Sequence, residues 1–209
     1  MSKTRIVVLK VLVWIACLYP LAILVYGCVM DTIGPDPTQA ITFSTGLAAL
    51  RLLILSLAIT PLRQLWPRLS WLIKFRRLLG LFAFFYASLH LFAYVGLYNY
   101  FERHMIMEDI LRRRFVTVGL LAWLLLVPLA VTSTTGWIKR LGGKRWQGLH
   151  KLVYVTMCLA IVHYWWLVKP GVMSPLKSTI AVVVLLAVRP VLKWWKGARR
   201  KPKALPQAA

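Results

Sequence analysis

Apolar residues in this chain fall into long runs that are separated by short polar segments. The runs lack the alternation of a strand, and each is close to the about 20 residues that an α-helix needs to cross a hydrocarbon core of about 30 Å. Six runs of this kind cover residues 6–29, 41–60, 78–100, 115–134, 150–168 and 176–192. Because a spanning helix satisfies its own backbone hydrogen bonds, the pattern predicts an all-α integral membrane protein, a six-transmembrane-helix bundle.

The connections between the runs are short, and we identify no internal repeat and no segment long enough for a second domain. One transmembrane domain is therefore predicted over residues 1–192. Residues 193–209 are rich in Lys, Arg, Pro and Ala, a composition that is typical of a disordered or interfacial basic cytoplasmic tail.

Composition agrees with a membrane protein and limits how the charge is interpreted. Hydrophobic residues make up 60% of the chain, and 27 Lys and Arg against five Asp and Glu give a net charge of +22. The basic residues cluster between the apolar runs, as they do in cytoplasmic loops beside anionic lipid. No basic helix or RNA-binding motif stands apart from the spans, so we do not predict nucleic-acid binding.

The position of the charges predicts the orientation. The N-terminus, the second loop, the fourth loop and the tail are basic and contain no acidic side chain. The acidic residues all fall in the first and third loops: Asp31, Asp36, Glu102, Glu108 and Asp109. Because positively charged loops stay in the cytoplasm, both termini are predicted to be cytoplasmic.

The cysteines and the first apolar run indicate no further chemistry. Cys17, Cys28 and Cys158 lie inside or at the end of apolar runs, at no metal-binding spacing and without a C-x-x-C-H motif for haem attachment. The run that begins at Ile6 is longer than the about 7 to 15 apolar residues of a signal peptide. We interpret it as a retained first span.

Three of the four histidines lie in predicted spans, where polar groups are costly and are functional candidates. His90 lies thirteen residues past Arg77, and His163 lies thirteen past His150. At 1.5 Å per residue, each is about 20 Å along a helix that starts on the cytoplasmic side. His90 and His163 are therefore predicted to reach the same depth, whereas His104 falls in the third loop.

Two neutral imidazoles on neighbouring helices suit the two axial positions of a haem iron, and a porphyrin fills a bundle core as an apolar plate. We predict an outer haem on His90 and His163. Thirteen residues turn a helix by about 220°, so His150 would serve a second, inner site. Zinc is less favoured because no Cys, Asp or Glu lies at that depth. The alternative is a transporter or scaffold whose histidines only donate hydrogen bonds.

Three arginines and one tryptophan are candidate contacts. Arg51 lies near the middle of the second span, and we predict that it faces the interior and contacts a haem propionate or a quinone. Arg76 and Arg77 could bind a propionate, since a guanidinium binds carboxylates bidentately, or could anchor the loop as positive-inside residues. Trp146 is predicted to be an interfacial anchor, with stacking on haem or flavin as the alternative.

Short motifs occur in order along nearly the whole chain. They are T-G at 45–46, T-P-L-R at 60–63, R-R-L-L-G-L at 76–81, A-x-L-H at 87–90, T-S at 132–133, L-G-G-K-R-W-x-x-L-H-x-x-V-Y at 141–154 and H-Y-x-W at 163–166. Together they resemble the MsrQ (YedZ) family, within the wider ferric-reductase-like and NADPH-oxidase-like transmembrane superfamily.

The resemblance implies a haem b subunit of the bacterial inner membrane. Such a subunit takes electrons from the quinol pool, or from a cytosolic flavin reductase, and passes them to the periplasmic molybdopterin-containing MsrP, which reduces methionine sulfoxide in oxidised envelope proteins. On the family pattern His90, His150 and His163 bind haem, and family members are also described as binding FMN. A stand-alone haem b quinol or metal reductase is an alternative.

One position departs from the oxidase relatives, whose third helix carries two histidines fourteen residues apart. Fourteen residues before His90 is Arg76, which cannot ligate iron while it is protonated. The number of haems, one or two, therefore stays open. No G-x-G-x-x-G follows a strand, so no nicotinamide-binding domain is expected, and the sulfoxide chemistry is assigned to the partner.

Overall fold

The computed structural model describes residues 3–169, 171 and 173–198. Its helices are α1 Lys3–Val29, α2 Pro37–Leu65, α3 Ile73–Ala93, α4 Arg103–Arg112, α5 Arg114–Val131, α6 Thr135–Leu149, α7 Leu152–Leu167 and α8 Ser174–Ala198. A 3-10 helix, Pro67–Leu72, precedes α3, and a π-helical turn, Tyr94–Tyr98, extends it. The described residues contain no strand, which confirms the all-α prediction.

Among the described residues, five helices are long and apolar enough to cross a membrane. They are Thr4–Val29, Pro37–Leu65, Pro67–Tyr98, Arg114–Val131 and Ser174–Leu192. The remaining predicted span, 150–168, corresponds to α7, which has only 16 residues. It begins late because the chain makes a turn at His150 and Lys151 before the helix starts. The described residues thus support five of the six predicted spans, and the sixth corresponds to an apolar helix that is shorter than the others.

Two of the predicted connections contain helices of their own. Helices α4 and α6 bury none of their residues, and both combine apolar residues with many charged ones. Helix α6 is kinked at Gly142, whose φ of 73° favours glycine. Short helices of this composition suit a membrane surface better than its interior.

The core forms where α2 packs along α3 and where α5 packs along α7. Trp123 of α5 links these two helix pairs, because its Nε1 donates a hydrogen bond to Ser88 Oγ of α3 at 3.0 Å. Helix α8 packs against α2 and α7. Helices α2, α3, α7 and α8 all contribute residues that are at most 5% exposed, among them Leu53, Leu57, Ala83, Tyr86, Met157 and Val182.

Tyr86 holds α1 against the bundle at the position of Pro20. A proline has no backbone N–H and interrupts the hydrogen bonds of a helix. The Tyr86 hydroxyl donates to Cys17 O at 2.7 Å and accepts from Leu21 N at 3.1 Å. It therefore takes the place of the interrupted backbone bond, and it is almost fully buried there.

Helix α8 continues to Ala198, past residue 193, where the basic tail was predicted to begin. Residues 199–209 of that predicted tail lie outside the described residues. We call the connections at residues 66–72 and 132–151 the basic end of the bundle. The connections at 30–36 and 99–113, which carry all the acidic residues, are the acidic end.

Candidate functional site

His90 of α3 and His163 of α7 face each other between the two helix pairs. Their ring centroids are 6.0 Å apart, and the ring planes are nearly perpendicular, at 86°. Both side chains are largely enclosed by the bundle. The structure thus brings together the two histidines that were predicted to reach the same depth.

The backbone of a neighbouring helix orients each imidazole. His90 Nδ1 lies 2.8 Å from Thr42 O on α2, and His163 Nδ1 lies 2.7 Å from Phe115 O on α5. Because a carbonyl oxygen only accepts, Nδ1 carries the proton and donates it in both rings. The lone pair of each neutral imidazole is then on Nε2, the nitrogen that can bind a metal.

Two glycines make these hydrogen bonds sterically possible. A helical side chain covers the turn that precedes it, so a side chain at position 46 would lie over Thr42 O. A Cβ on Gly46 would be 2.9 Å from His90 Nδ1, and one on Gly119 would be 2.6 Å from His163 Nδ1. Both distances are below the range of real Cβ contacts, so the imidazoles reach the carbonyls only because glycine is present.

The two helix pairs repeat one arrangement. His90 and His163 are 73 residues apart, as are Gly46 and Gly119. In each pair the histidine lies 48 residues after the carbonyl that it contacts. The glycines are absent from the residues that we predicted, although the four-residue patterns G-L-A-A at 46 and G-L-L-A at 119 recur at this same interval and could have identified them.

The spacing of the two imidazoles fits one metal ion between them. A metal–nitrogen bond of about 2 Å and about 1 Å from the nitrogen to the ring centre place two opposed ring centres about 6 Å apart. The observed separation is 6.0 Å. No group of three or more His, Cys, Asp and Glu that could hold a bare ion occurs among the described residues. A haem iron needs only two axial ligands, so the residues present fit haem.

His150 lies at the basic end, apart from this pair. Its Nδ1 is 3.0 Å from Trp146 O, whereas its Nε2 is buried and has no hydrogen-bond partner among the described residues. Burial lowers the pKa of His150, as do the positive charges of Arg76 and Arg77, and hydrogen bonds to the backbone only partly offset this. A neutral imidazole with a buried, unpartnered nitrogen is a second candidate ligand.

Trp146 positions His150. The two rings pack with centroids 3.9 Å apart at 31°. The indole Nε1 donates to Thr132 O at 2.8 Å, which ties α6 to the end of α5. Trp146 therefore stacks on the histidine itself, an arrangement that the sequence did not predict.

The three arginines that were predicted as contacts differ in their environment. Arg76 is partly buried, and its Nη1 donates to Thr60 Oγ1 at 3.3 Å. Arg77 is exposed and lines a groove against α1 with Lys10 and Trp14. Only Arg76 of this adjacent pair turns towards the interior of the bundle.

The interior position predicted for Arg51 is wrong. Its side chain is exposed on α2. Five residues separate Arg51 from Gly46, which places it about 140° around the helix from the face that receives His90. A long arginine side chain can instead follow the helix surface towards the membrane interface.

Arg189 of α8 was not predicted, although it lies within the apolar run 176–192. Its Nη1 donates to the Tyr154 hydroxyl, and its Nη2 donates to Leu57 O at 2.7 Å. The guanidinium carbon lies 4.9 Å from the centroid of the Tyr154 ring. Arg189 is therefore the arginine of the last span that turns inward.

Comparison with known proteins gives consistent matches. The family model described as the ferric reductase like transmembrane component matches residues 45–161. A protein-methionine-sulfoxide reductase heme-binding subunit MsrQ from Herminiimonas arsenicoxydans is 45% identical over 98% of this chain and 93% of its own length. The MsrQ subunits of Xanthomonas oryzae pv. oryzae and Caulobacter vibrioides are 46% and 40% identical, over 97% and 98% of this chain and 94% and 95% of theirs.

Proposed function

Because this chain belongs to the MsrQ family of ferric-reductase-like transmembrane proteins, we propose that it is a haem b electron-transfer subunit of a methionine sulfoxide reductase system. The observation that carries the proposal is the opposed pair of His90 and His163, with both Nε2 atoms free of the proton. The sulfoxide chemistry takes place in a partner, and this chain delivers the electrons.

His90 and His163 would hold the iron of the outer haem. When bound, a haem supplies a centre that accepts and releases one electron at a time. The carbonyls of Thr42 and Phe115 fix the orientation of the imidazoles and make their ligating nitrogens more basic. Gly46 leaves the space that this orientation needs on the α2 side.

Electrons are proposed to enter at the basic end and to leave near the acidic end. His90 and His163 contact residues in the first two turns of α2 and in the first turn of α5, near the helix starts that adjoin the acidic end. His150 lies at the basic end, in the turn that precedes α7, whereas His163 lies near the opposite end of that helix. His150 would hold an inner cofactor, a second haem or, alternatively, FMN.

The proposed partners follow from this assignment of the basic and acidic ends. The basic end would face the cytoplasm of a bacterial cell, with the protein as a multi-pass component of the inner membrane. The donor would be the quinone pool or a cytosolic flavin reductase. The acceptor would be the periplasmic molybdopterin-containing MsrP, which docks at the acidic end.

The decisive experiment follows the haem during electron delivery. The purified protein is reduced with a quinol and mixed with oxidised MsrP and a methionine sulfoxide substrate, and the haem alpha band is recorded. Reoxidation that requires both MsrP and substrate is expected. Reoxidation by ferric chelates but not by MsrP would instead indicate a stand-alone metal reductase, and a folded protein that binds no haem would refute the proposal.

A transporter or scaffold is the competing function, in which the histidines only donate hydrogen bonds. The observed bonds use Nδ1 of His90 and His163 and do not involve either Nε2 atom. Hydrogen bonding to the backbone and iron ligation therefore use different nitrogens. Replacing His90 with alanine distinguishes the two functions, because only the haem protein loses a chromophore.

A further inference from the structure

Arg189 lies between apolar helices of the bundle without an acidic partner. Its guanidinium is held by the Tyr154 hydroxyl of α7 and by Leu57 O of α2. Its Nε is buried and has no hydrogen-bond partner among the described residues. Both of its bonds are to neutral groups, so its charge is oriented but not neutralised.

A second guanidinium lies beside it. Arg76 of α3 bonds to Thr60, and Arg189 of α8 bonds to Leu57. Thr60 and Leu57 are three residues apart on α2, so they are neighbours on one face, with Cβ atoms about 5–6 Å apart. Because the two guanidinium groups bond to neighbouring positions of α2, their like charges lie close together and repel each other. Two positive charges therefore converge on the same turn of α2.

No acidic side chain of the chain can neutralise these charges. All five Asp and Glu residues fall in the connections of the acidic end, whereas this cluster lies towards the basic end, at the last turns of α2 and the start of α3. Partly buried cations that repel each other are costly unless an anion compensates them. We therefore expect that an anionic ligand binds beside these two arginines.

We propose that Arg189 and Arg76, with Tyr154 as the positioning residue, form a binding site for an oxyanion group, a carboxylate or a phosphate. A guanidinium presents a planar set of donors that matches either group. The buried Nε of Arg189 and its Nη2 lie on one edge of this plane. Nη2 donates to Leu57 O, whereas Nε has no partner among the described residues and can donate to a ligand.

Two sources can supply the oxyanion. One is the acidic group of a cofactor bound near His150, which lies at the same basic end of the bundle; this source rests on the proposed function. The other is the phosphate of an anionic phospholipid, which is independent of haem. The shared chemistry is an oxyanion between α2, α3 and α8.

The test compares Arg189→Gln and Arg76→Gln with the wild-type protein and with Arg51→Gln, which removes an exposed arginine from α2. Each protein is purified in detergent after expression with ample haem. Haem and flavin are measured by extraction, and bound phospholipid by native mass spectrometry. Circular dichroism confirms that each variant is folded.

We expect Arg189→Gln to lower the affinity for one oxyanion ligand by about tenfold, since one charge-assisted contact is lost. Arg51→Gln should match the wild type, and Arg189→Lys, which keeps the charge, should recover part of the loss. Loss of haem or flavin with unchanged lipid identifies the cofactor as the source. Loss of anionic phospholipid with unchanged cofactor identifies the lipid.

Unchanged haem, flavin and phospholipid in a folded Arg189→Gln protein would overturn the site. Arg76→Gln probes the same site from α3 and decides the question by the same measurements should Arg189→Gln not fold. A wild-type protein without haem would refute the proposed function but leave the phospholipid comparison fully informative.

Discussion

At the scale of single residues, the orientation of each imidazole depends on the absence of one methyl group. Gly46 and Gly119 leave open the carbonyls that His90 and His163 contact. A hydrogen bond to the backbone of a packed helix fixes a ring more firmly than a bond to a flexible side chain. The position of the nitrogen that is proposed to bind iron is thus set by residues that would not themselves contact the metal.

Replacing Gly119 with alanine should displace His163 and lower the haem content. The added Cβ would lie 2.6 Å from Nδ1 and 2.8 Å from Cε1 of the imidazole, so the ring must move. Gly46→Ala should do the same to His90, to a smaller extent, because its closest contact is 2.9 Å. Haem per protein, measured from the pyridine haemochrome, checks both.

Gly80→Ala is the matched control, since its Cβ would meet only Ser56 Oγ at an ordinary 3.7 Å. It should retain the haem content of the wild type, and alanine should slightly favour the helix over glycine. Equal haem loss in all three variants would show that glycine in these helices matters for folding and not for the histidines.

The perpendicular rings predict a specific magnetic signal. With ring planes at 86°, the two imidazoles would interact with different iron d orbitals, which then remain close in energy. The oxidised outer haem should therefore give a strongly axial low-spin electron paramagnetic resonance signal with one large g value. The spectrum is recorded in a His150→Ala background, and a rhombic signal with three resolved g values would contradict the observed orientation.

Individual residues were predictable where a polar side chain falls in an apolar span, because placing it there costs free energy. His90, His150 and His163 could be identified as candidates from the sequence alone, because a histidine in an apolar run usually has a function. Gly46 and Gly119 resemble ordinary small residues until the side chain that packs on them is known. Arg51 was misplaced because the sequence gives the depth of a residue but not the direction of its side chain around the helix.

At the scale of helices, α1 contacts the bundle through a few apolar residues, among them Cys17 and Trp14, and through one buried hydroxyl. The Tyr86 hydroxyl bridges Cys17 O and Leu21 N at the proline, while most of the apolar residues of α1 are exposed, as suits a helix in contact with lipid. The hydroxyl therefore adds a polar contact to the apolar packing of α1 against the bundle.

Tyr86→Phe should loosen α1 without removing the helix. Loss of the hydroxyl leaves Cys17 O and Leu21 N without this partner, at a cost of about 1–3 kcal/mol. Cys17 is only 4% exposed, so its thiol should become more reactive towards a maleimide. The measurement uses Cys28→Ser and Cys158→Ser, because both of those thiols are exposed.

Tyr19→Phe provides the control, since Tyr19 lies on the same helix and is 65% exposed. Its Cys17 labelling rate should equal that of the background protein. An unchanged rate in Tyr86→Phe would mean that packing alone holds α1 in place.

Helices were predictable to the extent that length and hydropathy define them. The runs 6–29 and 41–60 correspond to α1 and α2, although α2 extends well beyond its run at both ends. The short helices α4 and α6 lack a long apolar run, so hydropathy alone could not identify them. The start of α7 moved to residue 152 because a turn, which hydropathy does not detect, precedes it.

At the scale of the whole molecule, the candidate ligands separate into two groups along the membrane normal. His90 and His163 lie next to the acidic end, and His150 lies at the basic end. Fold class and the relative depth of the histidines followed from the sequence, because both depend on distance along helices. Which helices are neighbours, and hence how Arg189 joins Arg76, depends on packing and could not be derived.

The His150→Ala variant should therefore slow electron entry at the basic end without removing the outer haem. The outer haem should remain bound and reducible by dithionite, since its own ligands are untouched. Reduction by a quinol should slow severalfold or more, because the proposed inner cofactor would be lost. Stopped-flow absorbance at the alpha band measures both, and a variant that is reduced by quinol at the wild-type rate would contradict a role for His150 in electron entry.

The recurrence of one histidine, one glycine and one carbonyl in each helix pair has a consequence for biogenesis. Each half of the chain contributes one of the two histidines that are proposed to hold the iron, so neither half alone would hold it firmly. A nascent chain would have to insert α7 before its first ligand finds its counterpart on α3. Haem would then bind stably only after both helix pairs have inserted and packed together. Haem binding would therefore mark the completion of folding.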